Sequence, residues 1–133
     1  MKKLLTFCVV LLMVSLQACQ EKSPDDIEMV TPLQVYEAVY GQDALQLVDV
    51  RTTEEYGVSH LKNAQNICVT SDDFKEKVEK LDKEKPVYVY CKKGGRSAKA
   101  ARILKEMGFT KVYDLQGGMT SWQDRGLETV QMP

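Results

Sequence analysis

Cysteine and histidine are scarce in this chain. Its 133 residues include four cysteines and one histidine, His60. No two cysteines form a Cys-x-x-Cys pair, and the single histidine completes none of the usual zinc-ligand spacings with them. We therefore expect no metal site, no cofactor and no scaffold of disulfide bonds.

An excess of positive charge is also missing. Lys and Arg total 18 against 19 Asp and Glu, so the formal net charge is −1. This balance argues against nucleic acid as a partner, because nucleic-acid-binding domains carry clustered positive charge. With 28% charged and 44% hydrophobic residues and no internal repeat, the composition is that of one ordinary globular domain.

The N-terminus has no hydrophobic run long enough to span a membrane. The uncharged stretch from Leu4 to Leu16 covers 13 residues, whereas a membrane-spanning helix needs about 20. Lys2 and Lys3 precede it, and Leu16-Gln17-Ala18-Cys19 follows, which resembles the lipobox of bacterial lipoproteins. We expect cleavage before Cys19 and lipidation of Cys19; the alternative is a plain secretory signal with an incidental cysteine.

This assignment divides the chain into three parts. Residues 1–18 are the expected lipoprotein signal peptide, residues 19–26 a lipidated polar tether, and residues 27–133 the folded domain. The predicted location is the bacterial cell envelope, in the periplasm or at the cell surface, with the membrane bound through Cys19. Only Cys68 and Cys91 then remain as thiols of the folded domain.

The segment around Cys91 is the most informative part of the sequence. An apolar run from Pro86 to Tyr90 ends in this cysteine, and a loop of Lys, Gly and Arg leads into a helical pattern. Backbone N–H groups of such a loop, the helix N-terminus and neighbouring cations all favour negative charge. They can lower a cysteine pKa from about 8.5 to roughly 3.5–7.5, so the sequence predicts a nucleophilic thiolate rather than a buried structural cysteine.

Short apolar runs alternate with helical patterns along the rest of the domain. Strands alternating with helices indicate an α/β fold in which a parallel sheet carries helices on both sides. The predicted strands are Ile27–Val30, Leu45–Val50, Gln65–Val69, Pro86–Tyr90 and Lys111–Leu115, and the predicted helices run from Pro32 to about Tyr40, Thr53–Tyr56, Ser71–Leu81, Ser97–Met107 and Met119–Asp124.

Two long segments carry a family resemblance. LVDVRTTEEYGVSHLKNAQNI and YVYCKKGGRSAKAARILKEMGFTKVYDLQGGMTSW resemble a single rhodanese (sulfurtransferase) domain, in order from about Ile27 to Gly126. The resemblance implies a three-layer α/β/α fold with a five-stranded parallel sheet. It also implies that Cys91 carries a transferred sulfur as a persulfide, taken from a small anionic donor such as thiosulfate and given to cyanide or a thiol.

The resemblance assigns further roles near Cys91. Lys92 and Lys93 would attract the anionic donor, and Arg96 would brace the loop. The persulfide-binding loop implied by the family comprises Lys92, Lys93, Gly94, Gly95, Arg96 and the N–H group of Ser97. A supporting set of ion pairs and hydrogen bonds is implied for Asp49, Arg51 and Glu55, with Asp49 expected nearest the pocket.

Other positions have structural readings or stay open. His60 is expected to be a hydrogen-bonded structural histidine, Asn63 to hold a left-handed turn, and Met119 and Trp122 to lie in the core. Cys68 is either a small buried hydrophobe or a resolving thiol for Cys91; the second role requires the two sulfurs to come within disulfide reach.

Two rival functions share this architecture. Phosphatases and arsenate reductases of the superfamily use a Cys-x5-Arg loop, whereas Cys91 to Arg96 is Cys-x4-Arg, and Tyr90 stands where phosphatases place a histidine. A non-catalytic module that docks an envelope redox or sulfur-carrier protein is the other alternative. Inactive modules of this fold commonly lack the cysteine, so the presence of Cys91 favours the enzyme.

Overall fold

The computed structural model describes residues 27–41 and 45–133, and in them short strands alternate with helices as the sequence predicts. The expected signal peptide, Cys19 and the tether lie outside the described residues. The elements are β1 (Glu28–Val30), α1 (Pro32–Gly41), β2 (Gln46–Asp49), α2 (Thr53–Val58), β3 (Gln65–Asn66), α3 (Phe74–Val78), β4 (Val87–Tyr90), α4 (Gly95–Glu106), β5 (Val112–Leu115) and α5 (Gly118–Asp124).

The strands form one five-stranded sheet in the order β1-β5-β4-β2-β3, and every pair is parallel. This confirms the predicted fold class. Strand β4 lies at the centre, between β5 and β2. The residue that follows it, Cys91, is therefore at the middle of the carboxyl edge of the sheet, where open α/β folds bind their ligands.

The two faces of the sheet have separate apolar cores. Side chains alternate along β4, so that Val87, Val89 and Cys91 belong to one cluster and Tyr90 belongs to the other. The first cluster packs against α4 and includes Ala100, Ala101 and Leu104, and the second packs against α1 and α5 and includes Val35, Val39 and Trp122. Burial on both faces explains why the strands read as short apolar runs.

Several element boundaries differ from the prediction by one to three residues. Helix α3 is five residues long, because Ser71 and Val78 accept turn-type hydrogen bonds from the N–H groups of Phe74 and Leu81 instead of continuing the helix. Strand β3 ends at Asn66, although the N–H groups of Ile67 and Val69 beyond it still donate to the carbonyl oxygens of Asp49 and Val50. Helix α4 begins at Gly95, two residues before the predicted start.

The turn after α2 contains the histidine. His60 is buried, its Nδ1 lies 2.8 Å from the carbonyl oxygen of Tyr56, and the two rings stack with centroids 3.7 Å apart. Asn63 has φ of 65°, the left-handed conformation expected of it. Both residues therefore have the structural roles that the sequence predicts. None of the helices in the described ranges is long and apolar enough to cross a membrane.

Candidate active site

Cys91 occupies a shielded position directly after β4. Its side chain is 2% exposed, and its Sγ accepts a hydrogen bond from the backbone N–H of Gly94 at 3.1 Å. Sγ also lies 3.5 Å from Oγ of Ser97. Gly94 turns its N–H group towards the sulfur with φ of 121°, a conformation that side chains rarely adopt. The glycine loop therefore places donors around the sulfur atom.

Two opposing effects act on the Cys91 thiol. Burial raises its pKa, but hydrogen bonds from the side chain and N–H of Ser97 and from the N–H groups of Gly94 and Lys93 lower it. The donors prevail, so that the pKa is lowered overall. The N-terminus of α4, a twelve-residue helix, adds positive potential beside the sulfur. This arrangement stabilises a thiolate, as the sequence predicts.

The loop that was expected to run from Lys92 to Ser97 is shorter in the structure. Because α4 begins at Gly95, residues 95–97 form its first turn and only residues 92–94 are loop. Lys92 and Lys93 are exposed, and no ion pair in the described part of the chain holds either ammonium group. Both charges are thus available to an anion that approaches Cys91.

Arg96 braces this loop by pairing with Glu55. Its Nη1 and Nη2 donate to Oε2 and Oε1 at 2.7 and 2.9 Å, a bidentate pair that joins α4 to α2. Glu55 also closes a capping box with Thr52 at the start of α2. The hydrogen bond to Arg96 is the main reason that the pKa of Glu55 falls from 4.5 to about 2.

Asp49 and Arg51 form a second, buried pair. Nε and Nη2 of Arg51 donate to Oδ1 and Oδ2 of Asp49 at 3.0 and 2.6 Å, and Nη2 also donates to the carbonyl oxygen of Ser59 at 2.6 Å. The expectation that Asp49 lies nearest the pocket is wrong. Asp49 is fully buried at the end of β2, whereas Arg51 and Glu55, which follow the strand, line the cleft.

A cleft of about 220 Å³ opens beside the loop. Met119, which was expected in the core, is 3% exposed and also forms part of the cleft wall, while Trp122 is a core residue. Val58 stands at the rim with 71% of its surface exposed. The lining combines charged, polar and apolar side chains: Arg51, Glu55, Val58, Ser59, Lys92, Met119, Thr120 and Gln123.

Sequence reasoning missed the role of the glycine pair at the start of α5. N–H groups of Met119 and Thr120 donate to the carbonyl oxygens of Cys91 and Lys92 at 2.9 and 3.0 Å. Gly118, with φ of 57°, allows this approach, because a Cβ atom there would lie 2.4 Å from the Cys91 oxygen. Gly117 has φ of 73°. Two consecutive glycines after a predicted strand were the available signal.

Cys68 lies apart from this site. Strand β2 lies between β3 and β4 in the sheet, so the segment after β3 that carries Cys68 is not adjacent to the end of β4. Both thiols are free, and a resolving role for Cys68 would require the two Cα atoms to come within about 7 Å. Cys68 is only partly buried, with Sγ 3.2 Å from Oγ1 of Thr70, so it is not a core residue.

Residues 31–125, which are most of the chain, match the sequence model of a protein family, the rhodanese-like domain. The protein belongs to the rhodanese-like family. In the described ranges, this rhodanese-like domain has no group of His, Cys, Asp or Glu side chains arranged to hold a metal ion.

Named relatives agree with this assignment. The chain is 38% identical over 96 residues to the thiosulfate sulfurtransferase GlpE of Coxiella burnetii, covering 72% of this chain and 87% of GlpE. It is 37% identical over 82 residues to the uncharacterized protein YqhL of Bacillus subtilis, covering 62% of this chain and 64% of YqhL. The polysulfide-sulfur transferase of Wolinella succinogenes superposes with a TM-score of 0.67 and 31% identity, covering 80% of each chain. The rhodanese-like domain therefore falls in the sulfurtransferase family.

Proposed function

We propose that this rhodanese-like protein is a thiosulfate-type sulfurtransferase that works through a persulfide of Cys91. The observation that carries the proposal is the position of the Cys91 sulfur, which accepts a hydrogen bond from Gly94 and lies beside Ser97 at the N-terminus of α4. Such donors stabilise the anion of a thiol and would equally stabilise the terminal sulfur of a persulfide.

In the first step, the Cys91 thiolate attacks the outer sulfur of thiosulfate. A bond forms between the two sulfurs as the bond to the sulfite group breaks, and sulfite leaves with the electron pair. The charge of −3 on the reactants is conserved in the persulfide anion and sulfite. Lys92 and Lys93, exposed and free of ion pairs among the described residues, would attract the donor and offset the charge on departing sulfite.

In the second step, cyanide or a thiolate attacks the outer sulfur of the persulfide. The new bond takes that sulfur to the acceptor, the sulfur–sulfur bond breaks, and Cys91 recovers its electron pair as a thiolate. No oxidant or reductant is consumed, so the domain needs no redox cofactor for this cycle.

The names of the relatives support this reaction class over its rivals. GlpE is named a thiosulfate sulfurtransferase, and the Wolinella protein a polysulfide-sulfur transferase. The spacing from Cys91 to Arg96 remains one residue shorter than a phosphatase loop, and Arg96 is held by Glu55 rather than aimed at a bound oxyanion. A docking module would not need a sulfur surrounded by donors.

Mass spectrometry of the purified protein after thiosulfate treatment tests the proposal. We expect the Cys91 peptide to gain one sulfur atom that a reductant removes, and cyanide to discharge it as thiocyanate. Cys91→Ser, in which an un-ionised hydroxyl replaces the thiolate, should abolish both results while keeping the fold. Retained thiosulfate:cyanide activity in Cys91→Ser would refute the mechanism.

We further propose that the enzyme acts at the cell envelope, anchored to a membrane through lipidated Cys19. The support is the lipobox-like sequence before Cys19 and the polar residues 20–26, which would hold the domain off the bilayer. Two or three acyl chains would anchor it firmly, whereas one chain would not. Cys19→Ala should release soluble, active protein; continued fractionation with membranes would contradict the assignment. An envelope redox or sulfur-carrier protein would be a suitable acceptor there.

A further inference from the structure

Asp114 is a buried carboxyl group that the reaction scheme does not use. It is 2% exposed and lies in β5, beside Val89 of β4 and Met29 of β1. Val89 faces α4, so the paired Asp114 side chain lies on the same side of the sheet, where β5 packs against α4. The carboxyl group is thus close to the first turn of α4, which supports the Cys91 sulfur.

The surroundings of this carboxyl group favour its neutral form. Its Oδ1 is buried without a hydrogen-bond partner, and no ion pair in the described ranges includes it. Its register partners, Val89 of β4 and Met29 of β1, are apolar, and the group of α4 that acts on it is the neutral Ser97 side chain. A buried, unpaired carboxylate is costly, and burial accordingly raises the pKa of Asp114.

Ser97 connects Asp114 to the sulfur. The fully buried Ser97 side chain acts on the Asp114 carboxyl: it favours the charged form and so lowers the carboxyl pKa, against the larger effect of burial. Oγ of Ser97 also lies 3.2 Å from the carbonyl oxygen of Gly94 and 3.5 Å from Sγ of Cys91. A hydroxyl has a single hydrogen to donate and can accept twice. An ionised Asp114 would accept the hydrogen of the Ser97 hydroxyl. A protonated Asp114 would instead donate its own hydrogen to Ser97 Oγ, so that the Ser97 hydroxyl could donate to the Cys91 sulfur.

We propose that Asp114 is a positioning residue that remains protonated and donates to Ser97 Oγ, so that the Ser97 hydroxyl can donate to the sulfur of Cys91. The inference rests on the proposed function only in taking the Cys91 anion as the reacting form. Protonated Asp114 stabilises the anion through Ser97; ionised Asp114 removes this donor and adds a negative charge nearby.

The test measures the thiol pKa of Cys91 without sulfur transfer. Thiolate ultraviolet absorbance of the full chain is followed against pH and corrected with the matching Cys91→Ser protein, which cancels the other cysteines. Asp114→Ala should raise the thiol pKa of Cys91. At a pH below that pKa, it should leave roughly three- to tenfold less thiolate than in wild type, which is the effect expected from the loss of one hydrogen bond. Asp114→Asn, whose amide donates but cannot ionise, should restore the thiolate to within about twofold.

Two controls separate this role from a merely structural one. In a Ser97→Ala background, Asp114→Ala should have no further effect on the thiol pKa, because the connecting hydroxyl is gone. The infrared spectrum at neutral pH should show the carbonyl band of a protonated carboxyl group that disappears in Asp114→Asn. If Asp114→Ala does not fold, Asp114→Val, which also lacks a donor and suits a β-strand, takes its place.

Three results would overturn the inference: equal effects of Asp114→Ala and Asp114→Asn, an Asp114→Ala effect that persists without Ser97, or no carboxylic-acid band in the wild-type protein. None of these depends on persulfide formation. Failure of the proposed function would therefore leave the Asp114 test intact, and a refuted role for Asp114 would leave the persulfide mechanism standing.

Discussion

Glu55→Gln should destabilise the domain, because it removes the charge that pairs with Arg96 across α2 and α4. Glutamine can still close the capping box with Thr52, so the substitution isolates the ion pair from helix capping. The pair joins residues 41 positions apart in sequence and braces the first turn of α4. We therefore expect a loss of stability together with slower sulfur transfer.

The size of the effect follows from the pKa of Glu55. A fall from 4.5 to about 2 corresponds to about 3 kcal/mol, since one pKa unit is about 1.4 kcal/mol. The side chains of Arg96 and Glu55 are 33% and 31% exposed, so solvent screens part of this energy. We expect Glu55→Gln to lower the free energy of unfolding by about 1–2 kcal/mol at pH 7.

Urea denaturation at several pH values provides the assay. Because the folded-state pKa of Glu55 lies below the unfolded value, its contribution is complete above pH 4.5 and is lost as the pH falls towards 2. The difference between wild type and Glu55→Gln should therefore shrink to less than half by about pH 3. Arg96→Ala in both backgrounds completes a double-mutant cycle. A coupling energy near zero, or a difference that does not change with pH, would refute the reasoning.

Three further variants test other parts of the site. Replacing Lys92 and Lys93 together by alanine should raise KM for thiosulfate several-fold and flatten its dependence on ionic strength; an unchanged salt profile would show that neither lysine attracts the donor. Gly118→Ala should cost more than about 1 kcal/mol and slow transfer, because Cβ would collide with the carbonyl oxygen of Cys91. Gly57→Ala, where a Cβ would have nothing within 4 Å, is the control in thermal melts. Asp114→Asn should gain stability relative to wild type as the pH rises above about 4, because wild type must then ionise a buried carboxyl group whose pKa is raised in the folded state. A stability difference in urea melts that does not change with pH would contradict this.

The sequence by itself determined the features that neighbouring residues encode. An apolar run followed by a cysteine and a glycine loop predicts a strand, a turn and a helix, and β4, Cys91 and α4 follow in that order. The alternation of strands and helices likewise predicts the parallel sheet, since only crossover connections join such strands. Cations beside the cysteine indicate a stabilised anion. Each of these inferences depends on the order of residues along the chain and not on contacts between distant residues.

The tertiary structure alone decided which distant side chains meet. Glu55 reaches Arg96 because α2 and α4 both follow central strands of the sheet, and Asp49 turns inward while Arg51 lines the cleft. Strand order separates Cys68 from Cys91, and strand register places Asp114 beneath the first turn of α4. No local pattern contains these relations, because hydrogen bonding between strands sets the order and register that bring distant residues together.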